Sequence, residues 1–131
     1  MMVYLAMKLK DSDIDNWPST WKIIPEDIKY GKSLINIFKL YIKDIRERNL
    51  SIKTINDHID NLWLLGGFAI KQININPDLR KRNPAILLSR YIDFIDGPLI
   101  QDLSEYEQES FNRTCRNFYK YLVENKLKKM I

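Results

Sequence analysis

Apolar residues recur along most of this chain at three- and four-residue steps, the period of amphipathic helices. Leu34, Ile37, Phe38, Tyr41 and Ile45 form one apolar face. They predict a helix that opens at Pro25-Glu26-Asp27 and stops near Asn49. Proline suits a first helical position, where its missing N–H has no partner to lose, and early acids complement the helix dipole. A second helix is expected from Ser51, a good N-cap, with Ile55, Ile59, Leu62, Gly66, Ala69 and Ile73 on one stripe. Leu64 and Phe68 fall on the opposite side, so that half is apolar all round. Such a side is either covered by another helix, the first expectation, or a partner surface. The Gly66-Gly67 pair costs helix propensity, about 1 kcal/mol per glycine. Gly66 lies on the inward stripe, which points to close approach of a neighbouring helix, with a kink or break as the alternative.

Asn76-Pro77-Asp78 is turn chemistry. Asn83-Pro84 reads as an N-cap and first residue of a third helix, covering Ala85 to about Tyr91, and Asp96-Gly97-Pro98 breaks the chain again. Ser104-Glu105-Tyr106-Glu107 fits a capping box. It opens a last helix whose stripe is Phe111, Cys115, Phe118 and Leu122, running to about Asn125, with Lys126, Lys128 and Lys129 in a tail. Residues 1–24 read as an irregular arm. Met2 to Lys10 has mixed character, Asp11, Asp13 and Asp15 are an acidic patch, and Trp17 to Trp21 is a turn docking two indoles on the main body. Four helices with short connections, and no useful strand after residue 10, predict a compact all-α bundle as a single helical domain over 25–131.

Composition narrows the function classes. The 131 residues are 45% hydrophobic and 11% aromatic, as in a chain that folds around its own core. Cys115 is the only cysteine, so no intramolecular disulfide forms; with the single His58 it cannot build a zinc site. No apolar run approaches the roughly 20 residues of a membrane span, and Met2 to Met7 is too short for a signal-peptide core. A reducing cytoplasm is the expected compartment. No phosphate-cradling glycine loop occurs, and no nucleophile can be paired with a base. Asp93 and Asp96 read as loop-solvating acids, and His58 as a packed or surface histidine. No enzyme activity, metal or cofactor is expected.

Two stretches carry a family resemblance. Asn49-Leu50-Ser51-Ile52-Lys53-Thr54, continuing through His58, Leu62 and Leu65, is similar to a Leu-Ser-x-x-Thr helix start. Arg116-Asn117-Phe118-Tyr119-Lys120-Tyr121-Leu122 is similar to an Arg-x-Phe-aromatic-x-x-Leu closing helix. Over roughly residues 29 to 127 the chain thus resembles the N-terminal core-binding (SAM-like) domain of tyrosine recombinases and phage integrases. The resemblance implies a four- or five-helix orthogonal bundle that clamps duplex DNA, here without the separate catalytic domain.

A net charge of +4 is mild, so its distribution decides what it means. Lys29, Lys32, Lys39, Lys43 and Arg46 lie broadly opposite the first helix's apolar face. Such a row suits phosphates, and an ordinary solvated face explains it equally well. Arg113, Arg116, Asn117 and Lys120 repeat the arrangement on the last helix with residue types that read base edges; Glu109 and Glu124 offer them intrahelical pairs instead. Lys53 and Thr54 sit beside Ser51 at a helix N-terminus, an anion site or simply a cap. Arg80-Lys81-Arg82 is a loop of three cations. The expected function is non-catalytic binding of duplex DNA, provided the cations converge on one side. The alternative is a protein-interaction module, a homodimer or an adaptor, using the apolar face around Leu64 and Phe68 or the Trp17/Trp21 arm.

Overall fold

A computed structural model describes residues 11–125, with side chains from Asp13 onward. The readings made for Met2–Lys10 and for Lys126, Lys128 and Lys129 lie outside the described residues. Helices α1 (Asp11–Asp15), α2 (Trp17–Trp21), α3 (Asp27–Arg46), α4 (Ile52–Ile75), α5 (Pro84–Ser89) and α6 (Glu105–Glu124) follow in order, with a 3-10 turn at Pro77–Lys81 between α4 and α5. No strand occurs among the described residues. The fold of the described residues is all-helical.

The three long helices bury the stripes their sequences predicted. Leu34, Phe38, Tyr41 and Ile45 of α3, Ile59, Leu62 and Ala69 of α4, and Phe111, Cys115, Phe118 and Leu122 of α6 share one core. Phe118 packs edge-on against Phe38 and Tyr41, with ring centroids 5.5 and 5.2 Å away. The caps also form as expected. Ser51 Oγ accepts from Thr54 N (3.1 Å), Asn83 Oδ1 accepts from Ala85 N (2.8 Å), and Ser104 and Glu107 satisfy each other's N–H groups.

Residues 11–24 depart from the irregular arm expected of them, because α1 and α2 are helical. Their indoles do dock. Trp17 and Trp21 are buried and both meet Phe38 edge-on at 6.4 Å. Gly66 is what lets Trp21 in: a Cβ at that position would lie 2.3 Å from Cζ2 of the indole. The glycine pair therefore marks close approach of a neighbour, and α4 continues through it unbroken.

Helix α3 starts at Asp27, two residues later than Pro25 suggested, and Asp27 explains the shift. Its fully buried carboxylate accepts from Ile23 N (2.8 Å) and Ile24 N (2.9 Å), and also from Asn74 (3.0 Å) and Arg80 (2.7 Å). Burial alone would raise this carboxyl; the hydrogen bonds from Ile24, Arg80, Ile23 and Asn74 outweigh it and hold the pKa below its usual value. This node ties the α2–α3 turn to the end of α4.

Candidate functional site

The α6 cations form neither a free row nor quite the intrahelical pairs that their spacing offered. Arg116 is engaged at the surface, donating to the carbonyl of Ile95 (2.8 Å) and to Glu109 (3.2 Å). Glu109 was the expected partner of Arg113, four residues on; it serves Arg116 instead, and Arg113 is exposed with no ion pair among the described residues. Asn117 is half-buried, and Lys120 lies 3.9 Å from Glu124. On α3, Lys39 pairs with Asp15 of α1, and Arg46 is half-buried. Lys29, Lys32 and Lys43 stay exposed, without ion pairs among the described residues.

Helix α3 meets α6 through Phe38 and Tyr41 packed on Phe118 and Tyr121, which belong to neither cationic row. Lys39 turns toward α1 and Arg116 toward the loop before α6. At the start of α4, Lys53 is neutralised by Asp57 (2.8 Å), and the Thr54 N–H and hydroxyl are engaged with Ser51. The Arg80-Lys81-Arg82 run is likewise not a set of three free cations, since Arg80 holds the buried Asp27.

His58 is buried, with Nδ1 2.7 Å from the hydroxyl of Thr114, which Asn61 Nδ2 also reaches at 2.9 Å. Burial lowers the imidazole pKa, Asp57 opposes that, and Arg113 and Arg48 reinforce it. The Thr114 hydroxyl and the imidazole have the spacing of an activated nucleophile, but both are closed off from solvent, and the group works as a polar tie between α4 and α6. Cys115, on the same helix as Thr114, is buried, and burial pushes its thiol far up from its usual value.

The feature that stands apart is apolar. Along α4 runs an open groove of about 430 Å³, floored by Leu64, Gly67 and Phe68. One wall is Trp21 and Ile23. Trp21 is held by its Nε1–H donating to the Trp63 carbonyl (3.0 Å), and Ile23 by the grip of Asp27 on its N–H. Leu99 and Ile100 form a further wall, set in place by Gln108 of α6, which accepts from Ile100 N and donates to the Pro98 carbonyl, both at 3.0 Å. Large apolar side chains on this surface are left in water: Ile23 is 58% exposed, Trp63 39%, Ile75 76% and Leu99 86%. Among the described residues of the lining, Lys71 is the only charged one.

Coverage of the Leu64/Phe68 side is thus partial. Tyr91 packs edge-on against Phe68 at 5.1 Å, and the rest of that side is the groove floor. Leu64 and Phe68 were legible in advance as a second apolar face. Ile23, Ile75 and Leu99 were not, because single apolar residues in turns and at a helix end carry no periodic signal. No helix among the described residues is long and apolar enough to cross a membrane. No protein-family model, curated protein or solved structure matches the chain.

Proposed function

We propose that this chain is a protein-interaction module that binds through the α4 groove. The observation that carries the reading is the clustering of four exposed large apolar side chains around one concave, apolar-floored site. Scattered surface leucines or isoleucines are ordinary, but a contiguous apolar patch in contact with water marks a surface made to be covered. Its walls are built rather than frayed, since each is pinned by hydrogen bonds from a different helix. A photo-crosslinking amino acid at position 99 or 75, in cells that naturally make the protein, tests this. A discrete product at both positions, absent with the crosslinker at exposed Lys29, is expected. No product at either position overturns the reading.

A second reading, duplex DNA binding by an integrase-type core-binding bundle, is supported by Lys29, Lys32 and Lys43. These unpaired cations occupy one side of α3 and span about 21 Å at 1.5 Å per residue. It ranks second because Lys39, Lys53, Arg116 and Lys120 each have a carboxylate neighbour. Titration of labelled duplex at two salt concentrations separates the readings. Phosphate contact requires affinity that falls steeply with salt and weakens in a Lys32→Glu/Lys43→Glu variant. Salt-independent or absent binding rejects it.

A further inference from the structure

We infer that the groove receives an acidic amphipathic helix belonging to another protein. The inference rests on the groove being an interaction site and adds which partner it takes. Three observations select the occupant.

Shape comes first. The groove is a concavity lined from α4, from the α2 end and the turn after it, and from the loop before α6, so two copies placed groove to groove would set concave surface against concave surface and leave the floors unfilled. The occupant has to be convex.

Hydrogen bonding selects its conformation. The floor is the outer side of a continuous helix, whose backbone groups are spent within α4, and no strand edge exists among the described residues. An extended peptide laid on Leu64, Gly67 and Phe68 would find no ladder partners and would bury unsatisfied N–H and C=O groups. A helix satisfies its own backbone and buries only side chains. The stretch from Trp63 to Ile75 is about 18 Å long at 1.5 Å per residue, room for roughly three turns of an occupying helix, with anchors at i, i+3 or i+4, and i+7.

Charge selects its chemistry. Lys71 lies one helical turn beyond Gly67 and one before Ile75, exposed and without an ion pair among the described residues, and no acid is among the described residues of the lining. An occupying helix meets a lone cation on an apolar floor, so a carboxylate on its flank is favoured and a lysine there is rejected.

The test is a phage-displayed library of 14-residue helical peptides with randomised exposed positions, selected against the full chain. The expected winners carry the apolar triad and an Asp or Glu beside it. Lys71→Glu should weaken them about fivefold, and exchanging the peptide acid for Lys should restore the loss. Leu99→Glu, at a position too exposed to disturb folding, should abolish binding. Winners without acids that ignore Lys71→Glu but are lost on Leu99→Glu overturn the acidic helix and leave the interaction site standing. Winners insensitive to Leu99→Glu and Ile75→Glu, or no winners, overturn both. Sedimentation showing self-association that Leu99→Glu removes overturns the inference in favour of a second copy.

Discussion

Replacing Gly66 by alanine tests the packing that builds one wall of the groove. An added Cβ would sit 2.3 Å from Cζ2, 2.4 Å from Cη2 and 2.9 Å from Cε2 of Trp21, well inside van der Waals contact. The indole has little room to yield: it packs against Trp17 at 5.7 Å and Phe38 at 6.4 Å, and its Nε1 is bonded to the Trp63 carbonyl. Overpacking of this kind costs about 1–3 kcal/mol, and losing the indole hydrogen bond adds about 1 kcal/mol. Alanine recovers about 1 kcal/mol of helix propensity, so a net loss of about 1–3 kcal/mol is expected. Gly67 is the internal control, since a Cβ there approaches Trp21 only to 3.3 Å and propensity offsets the crowding. Urea denaturation followed by tryptophan fluorescence should give Gly66→Ala a clearly lower midpoint and Gly67→Ala a change below about 1 kcal/mol. A Gly66→Ala variant as stable as wild type, with unchanged near-ultraviolet dichroism, would refute the account of how Trp21 is seated.

Three further outcomes follow from the same packing. His58 is held neutral in the fold with its pKa below 6.5, so the unfolded chain binds more protons as pH falls through 6.5. Stability should therefore drop as pH falls below about 7, and a His58→Gln variant should show a flatter profile there; identical profiles would contradict the buried imidazole. Asp27→Asn leaves Arg80 without its carboxylate and should cost about 3 kcal/mol in denaturant unfolding, with Arg80→Met in the same chain recovering part of it. A cost below about 0.5 kcal/mol would show that the node holds nothing together. Ser104→Ala removes half of the capping box and should cost about 1 kcal/mol, measured the same way; no loss would mean the α6 start is held by other contacts.

The helices themselves were legible in the residues, because the physics that makes them is local. A stripe at Phe111, Cys115, Phe118 and Leu122, or a Ser104/Glu107 box, needs only neighbours a few residues away. The first helix was misplaced by two residues because its true start depends on Asp27 capping backwards to Ile23 and Ile24 while Arg80, over fifty residues on, compensates its charge. The short helices α1 and α2 were missed for a related reason. A five-residue helix has too few positions to show a period, and α2 is stabilised by burial of Trp17 and Trp21 rather than by propensity.

The candidate surfaces divide the same way. Opposite charges four apart, as in Lys53–Asp57, are visible in the chain, whereas Lys39–Asp15 joins separate helices. That Leu64 and Phe68 form a second apolar side of α4 follows from helical spacing alone. That this side is only half covered, with Ile23 and Leu99 raised as walls around it, follows from where Asp27 and Gln108 hold two turns. Sequence determined which residues seek burial, since hydrophobicity and spacing are properties of the chain. Tertiary structure alone decided which of them remain in water, since exposure depends on what the other helices happen to cover.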